Sequence, residues 1–221
     1  MPRRLVIAID GPSGSGKSST ARAVARELGL SYLDTGAMYR AVAVAFLDAG
    51  VDPADVPGVI AATTGATIDL SLDPDERWVR VNGRDVTDEI REPRVSQHVS
   101  AVSTVPECRA DLVRRQRVLM DRDPRGCVAE GRDVTTVIYP NAPLRILLTA
   151  APRARLERRG DELGDRVSEA QLRDQVLRRD ADDSALVDFT HAADGVHLLD
   201  TTQLSLDEVV STVVALAKEI S

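Results

Sequence analysis

The sequence predicts an α/β fold, a five-stranded parallel sheet with flanking helices, on three observations. Short apolar runs alternate with helical patterns, polar clusters follow the ends of those runs, and the first run leads into a glycine-rich loop. The runs are Leu5–Ile9, Ser31–Leu33, Cys127–Ala129, Arg145–Leu148 and Val196–Leu199. At 221 residues, 43% of them hydrophobic and 29% charged, the chain suits one α/β domain with an insertion or small appended lobe. Aromatic residues make up only 3%, so the core must rest on Val, Leu, Ile and Ala.

Leu5–Ile9 is apolar throughout, as a strand buried on both faces requires. Gly11 to Ser18 then read G-P-S-G-S-G-K-S, a full match to the phosphate-cradling pattern G-x-x-x-x-G-K-[ST]. Ser19–Leu28 carries alanines and leucine at helical spacing, and Gly29 supplies a stop. In a strand–loop–helix unit, successive backbone N–H groups and a helix N-terminus can surround an anionic phosphate. Gly11, Gly14 and Gly16 let the backbone approach phosphate, while Pro12, Ser13 and Ser15 complete the loop. Lys17 can reach β- and γ-phosphates, and the Ser18 hydroxyl can ligate Mg²⁺. The unit marks a nucleoside-triphosphate site.

After the second run stands Asp34-Thr35-Gly36-Ala37-Met38-Tyr39-Arg40. Thr35 and the Gly36 amide can open a helix facing the same crevice, Arg40 can fork onto a phosphate, and Asp34 can hold a water of the Mg²⁺ shell. The plainer alternative is an N-cap with an exposed Arg. Ala66–Val86 alternates apolar and polar residues, with Asn82-Gly83 as a hairpin signal, so it reads as a small antiparallel insert. Helices are expected at Pro93–Ser103 and Pro106–Met120, the latter with Pro at its opening position. Gly131-Arg132-Asp133 follows the third strand as either a structural ion pair or part of the crevice. An Asp carboxylate there accepts from an exocyclic amino group such as that of cytosine. Beyond the fourth strand come Arg153, Arg155, Arg158, Arg159 and Arg166, interleaved with acids. Arg153 fits a solvated helix face. Arg155, Arg158 and Arg159 fit a mobile lid bringing positive charge to a phosphoryl group in flight, with Gly160 and Gly164 allowing bending. Arg179-Asp180-Ala181-Asp182-Asp183-Ser184 reads equally as a helix end or a site. Leu206–Ile220 is an amphipathic closing helix.

A net charge of −7 argues against broad nucleic-acid or anionic-membrane binding. Cys108 and Cys127 are the only cysteines and lack metal-ligand spacing, so they read as inert thiols in a reducing compartment. No signal peptide and no stretch of transmembrane length stand out, and the expected location is cytoplasmic.

I-A-I-D-G-P-S-G-S-G-K-S-S-T, Y-L-D-T-G-A-M-Y-R, A-E-G-R-D-V-T-T-V and L-D-T-T together resemble bacterial cytidylate kinases, a branch of the nucleoside monophosphate kinases, over essentially the whole chain. The first motif is shared among many P-loop kinases; D-[ST]-G-A-x-Y-R with G-R-D is far more specific. The resemblance implies the P-loop nucleoside monophosphate kinase fold: core (about 1–34, 106–150 and 168–221), a monophosphate-binding region with the β insert (about 35–105) and a lid (about 152–167). It implies ATP on Gly11–Ser19, Mg²⁺, and CMP or dCMP as acceptor. Ser100, Arg109 and Asp133 match the cytosine-reading group; Arg40 and Arg132 match ligands of the acceptor phosphate, with Thr35 and Tyr39 lining that pocket. Arg179 and Asp183 match contacts to the sugar hydroxyls. Many relatives place an Arg where this chain has Leu186, so either Arg40, Arg132 and the lid suffice or another Arg enters.

Lys17, Arg40, Arg132, Arg155, Arg158 and Arg159 are the expected catalytic cations, in a monomer that binds ATP and CMP or dCMP. Two other readings compete. A kinase acting on a hydroxyl would need a carboxylate base by the acceptor. A GTP switch would carry an N-K-x-D motif, which is absent, whereas an ATP-dependent switch would need none.

Overall fold

A computed structural model describes residues 4–163, 189 and 191–220. Five parallel strands form the main sheet: β1 (Leu5–Asp10), β2 (Ser31–Asp34), β6 (Gly126–Gly131), β7 (Leu144–Thr149) and β8 (His197–Asp200). Their order is β2-β6-β1-β7-β8. All five coincide with the predicted runs to within a residue or two at each end. The chain leaves β1 toward β2 and β6, then crosses to β7 and β8. That reversal makes the carboxyl end of β1 the switch point at which open parallel sheets bind ligands.

Alternation along β1 divides the core. Ile7 and Ile9 face one apolar layer with Val24, Val128, Ile146, Val210 and Val214. This layer is closed by α1 (Lys17–Leu28) and by α8 (Leu206–Glu219), whose N-terminus carries a Ser205–Glu208 capping box. Val6 and Ala8 face the other layer, with Met38, Phe46, Leu112 and Met120 from α2 (Thr35–Asp48) and α6 (Pro106–Met120). With both faces covered, the inner strands have no polar side to show until their carboxyl ends.

The predicted insert is a second sheet, β3 (Ile68–Leu70), β4 (Val79–Val81) and β5 (Arg84–Asp85), antiparallel in the order β3-β4-β5. Asn82 and Gly83 have φ of 52° and 79°, the two left-handed residues of a tight hairpin. The insert buries Val79, Val81 and Val86 in the α2 layer. A bond from the Tyr32 amide to the Leu72 carbonyl (2.8 Å) ties it to the edge of β2.

The structure corrects one sequence expectation and adds one helix that the sequence pattern does not signal. Pro93–Ser103 is not one helix but two single turns, α4 (Pro93–Ser96) and α5 (Ser100–Ser103). The His98, Ala101 and Val102 amides bond three residues back, to Val95, His98 and Val99. Serines and β-branched valines gain little from a continued α-helix, and this tighter winding buries Val95, Val99 and Val102 together. Conversely, α3 (Val56–Gly65) forms from an unpromising Pro-Gly-Thr sequence. Asp55 caps its Gly58 amide at 3.2 Å, and Val59 and Thr63 anchor it one turn apart.

At the start of β6, Gly126 has φ 129°, and a Cβ there would lie 1.7 Å from the Leu5 carbonyl oxygen. Gly126→Ala is expected to destabilise the fold by roughly 3 kcal/mol, from combined overpacking and backbone strain. Urea denaturation measures this; an unchanged midpoint would contradict the tight β1–β6 pairing.

Candidate active site

The loop after β1 is shaped by what presses on it. Gly14 and Gly16 take left-handed φ values of 75° and 87°. A Cβ on Gly14 would fall 2.5 Å from the backbone carbonyl oxygen of Arg155, in α7 (Pro152–Leu163). Arg155, itself buried, donates to the Ser13 carbonyl at 3.1 Å. The Thr201 hydroxyl, just past β8, donates to the Ser15 carbonyl at 3.1 Å. Inside this cradle the Ser15 hydroxyl is buried with no hydrogen-bond partner among the described residues. A buried hydroxyl without a partner carries a desolvation cost that an anion on the loop would relieve.

Lys17 and Ser18 meet Glu130, the penultimate residue of β6. Ser18 Oγ donates to Glu130 Oε1 at 2.6 Å, Tyr32 OH reaches the same oxygen at 3.3 Å, and Lys17 Nζ lies 3.9 Å from Oε2. Glu130 is 3% exposed. Burial, then the nearby Asp34 carboxylate, pushes its carboxyl pKa up, while Lys17 and the Ser18 bond pull it back. The sequence shows Glu130 only within A-E-G-R-D-V-T-T-V, with no role assigned to it. Its signal was available: a carboxylate inside an apolar strand needs a cation.

At the N-terminus of α2 the cap is Asp34 and not Thr35. Asp34 accepts from the Ala37 amide at 2.8 Å and pairs with Arg40 at 2.9 Å. Burial pushes its carboxyl up, but Arg40 and the Ala37 amide outweigh burial and hold it below the usual range. Arg40 is therefore not an exposed residue, and its buried Nε has no hydrogen-bond partner among the described residues. Thr35 instead donates to the Glu130 carbonyl at 2.8 Å. A Cβ on Gly131 would lie 2.3 Å from Thr35 Oγ1, so only glycine permits this contact.

The loop after β6 brings Arg132 against the glycine-rich loop after β1. Arg132 Nη1 donates to the Gly11 carbonyl at 3.0 Å, and its guanidinium stacks on Phe189 at 4.5 Å. Buried Asp133 pairs with Arg109 at 2.5 Å. Tyr39 OH is buried without a hydrogen-bond partner among the described residues, and burial reinforced by Asp133 pushes its pKa well up. Ser100 is exposed at the start of α5, and its carbonyl accepts from Thr104.

The basic group splits. Arg153 is exposed and pairs with Glu157 one turn on. Arg158 donates to Thr201 Oγ1 (2.9 Å) and to the Thr201 carbonyl (2.5 Å), so with Arg155, bonded to Ser13, it is seated beside the loops after β1 and β8. Arg159 lies on the same helix. Arg166, Arg179, Asp183 and Leu186 lie outside the described residues.

The sequence pattern of one family, cytidylate kinase, matches residues 7–219. The chain belongs to the cytidylate kinase family. It is 49% identical to the cytidylate kinase of Cutibacterium acnes over 214 residues, covering 96% of this chain and 95% of that protein. It is 44% identical to the cytidylate kinase of Corynebacterium efficiens over 218 residues, covering 97% and 94%. An uncharacterized protein from Eubacterium ventriosum superposes with a TM-score of 0.51 at 10% identity, over 97% of this chain and 99% of that one, a likeness of fold alone. The parallel sheet, the flanking helices and the small antiparallel sheet together agree with the nucleoside monophosphate kinase fold.

Asp10, the last residue of β1, is the other carboxylate the sequence reading passed over. It is 2% exposed, and burial raises its pKa from 3.8 to about 6 despite bonds from Thr135 and Val134. The folded state thus keeps this proton longer than the unfolded chain. The Asp10 contribution to stability is full below about pH 4, falls as pH rises to about 6, and is flat above that. Asp10→Asn is expected to remove this slope, worth at most about 3 kcal/mol. Urea midpoints of both proteins from pH 4 to pH 7 check it; parallel curves would contradict the raised pKa.

Proposed function

We propose that the protein transfers the γ-phosphoryl group of ATP to CMP or dCMP, giving ADP and CDP or dCDP. The carrying observation is the Arg132–Gly11 bond, which sets the G-R-D loop directly against the phosphate loop. Donor and acceptor phosphates would then meet over the carboxyl ends of two paired strands.

An oxygen of the acceptor phosphate attacks the γ-phosphorus in line, its bond forms, the bond to the β–γ bridging oxygen breaks, and ADP leaves. The acceptor is already anionic, so no strong base is required. Catalysis rests on positioning and charge. Lys17 neutralises the β- and γ-phosphates. Arg40 and Arg132 take the acceptor phosphate, within a pocket lined by Thr35 and Tyr39. Asp133, held by Arg109, accepts from the cytosine amino group; uracil offers a carbonyl there and leaves the carboxylate unanswered. Ser100 completes the base-reading group, and Arg179 and Asp183 reach the sugar hydroxyls, in keeping with the family resemblance.

Mg²⁺ fits the oxygen donors at the donor loop: the Ser18 hydroxyl beside the buried Glu130 carboxylate, with Asp34 nearby. Among the described residues no three His, Cys, Asp or Glu side chains form a metal cluster, so phosphates and water must supply most of its shell. When bound, the ion neutralises phosphate charge; Ser18 would ligate it, and Glu130 and Asp34 would hold its waters.

We assign residues 35–105 to an acceptor-binding lobe and 152–167 to a lid that carries Arg155, Arg158 and Arg159. The remainder is core, acting as a cytoplasmic monomer. Among the described residues no helix is long and apolar enough to cross a membrane.

ADP release is to be measured with CMP, dCMP, UMP, AMP and shikimate as acceptors. Turnover is expected with CMP and dCMP, and its absence with both would overturn the proposal. Asp133→Ala should lower the CMP-over-UMP ratio of kcat/KM roughly tenfold or more; an unchanged ratio would remove Asp133 from base reading. For Lys17→Met we expect kcat to fall by about 100-fold or more, and a near-normal kcat would exclude Lys17 from the transition state.

A further inference from the structure

We propose that Asp10 is a positioning residue that caps the turn after the G-R-D loop in place of Asp133, so that the Asp133 side chain turns to Arg109 and the acceptor. This role rests on the function proposed above.

The geometry begins with strand register. β1 pairs with β6 so that Asp10 stands beside Gly131, immediately before Arg132 and Asp133. The chain then winds into a single π-helical turn, Val134–Ile138, whose N-cap is Asp133. An Asp at this position ordinarily bends back to accept from its own first-turn amides. Asp133 makes no such cap. The amides are taken from across the sheet: Val134 N donates to Asp10 Oδ1 at 2.9 Å, and Thr135 N to Asp10 Oδ2 at 2.8 Å. The Thr135 hydroxyl adds a third bond to Oδ2 at 2.6 Å. Two carboxylates thus stand near one set of donors, and Asp10 holds all three while Asp133 turns to Arg109.

The consequence is selective. Asp10 directly precedes Gly11, yet its hydrogen bonds run away from the donor loop into the acceptor loop. Removing its carboxylate leaves the turn uncapped, and the nearest replacement is Asp133. Asp133 would swing back onto its own amides and part from Arg109. The damage should fall on acceptor affinity and base choice and spare ATP.

Asp10→Asn is the direct test, because an amide keeps the volume but must set its N–H₂ against one of these donors, the Val134 amide or the Thr135 pair. Steady-state kinetics should show KM for CMP raised about tenfold, KM for ATP within twofold of wild type, and a reduced CMP-over-UMP ratio of kcat/KM. A merely structural loss lowers the active fraction, which moves neither KM nor the ratio. Thr135→Val, which removes one of the three donors, should show the same acceptor-selective change at roughly threefold. It decides the question if Asp10→Asn does not fold. Wild-type KM for CMP with an unchanged ratio in these variants would overturn the role, as would an equal rise in both KM values. Wild-type protein inactive toward every monophosphate would overturn the proposed function first, and this role with it.

Discussion

Parallel pairing of β1 with β6 is the constraint on which the rest of the site depends. In register from Leu5 beside Gly126 to Asp10 beside Gly131, it ends two strands at the same level and starts two loops side by side. One loop carries the phosphate-cradling glycines, the other Arg132 and Asp133. The pairing tolerates almost no slack, since a Cβ on Gly126 would strike the β1 backbone. A one-residue slip of β6 along β1 would turn Glu130 to the face that Asp10 occupies and leave both loops facing wrong partners.

Around those strand ends the protein keeps more charge than burial alone would allow. The Asp34 carboxylate stands close enough to Glu130 to disfavour its ionisation, on top of burial. Their pKa values move in opposite directions because their cations differ: Arg40 lies against Asp34 at 2.9 Å, while Lys17 stays 3.9 Å from Glu130. Asp34 is therefore satisfied within the protein. Glu130 retains capacity for further positive charge, in the place where a Mg²⁺–nucleotide complex would bring it. Among the described residues, Ser15, Tyr39 and Arg40 contribute polar atoms buried without hydrogen-bond partners. Such atoms cost stability in the absence of ligand, which is a common compromise at binding sites.

The antiparallel insert is joined to this centre by a short physical chain. Arg22 of α1 stacks over Tyr32 at 4.2 Å and donates to the Pro74 and Glu76 carbonyls of the insert. Tyr32 in turn reaches Glu130 through its hydroxyl and Leu72 through its amide. The segment between β3 and β4 thus packs on groups that contact the donor-side carboxylate. The two thiols take no part: burial pushes Cys127 up to about 12 and raises Cys108 as well.

The sequence by itself determined the five parallel strands, the hairpin insert, the phosphate loop and the acceptor motifs. These are local signals: apolar runs for strands buried on both faces, Asn-Gly for a left-handed turn, and glycines with Lys and Ser for a phosphate. It also determined the family, through motifs that span the chain. Only the tertiary structure decided which polar groups answer one another. That Asp34 caps α2 while Thr35 turns to Glu130, that Arg158 sits on Thr201, and that Asp10 caps a turn 124 residues away were not legible. The break within Pro93–Ser103 and the helix at Val56–Gly65 were likewise set by packing against α2 and α6, which overrode weak local propensity. Local pattern reports what a segment prefers. The partners of a buried charge are decided by strand register and helix packing, which bring together residues that no sequence window contains.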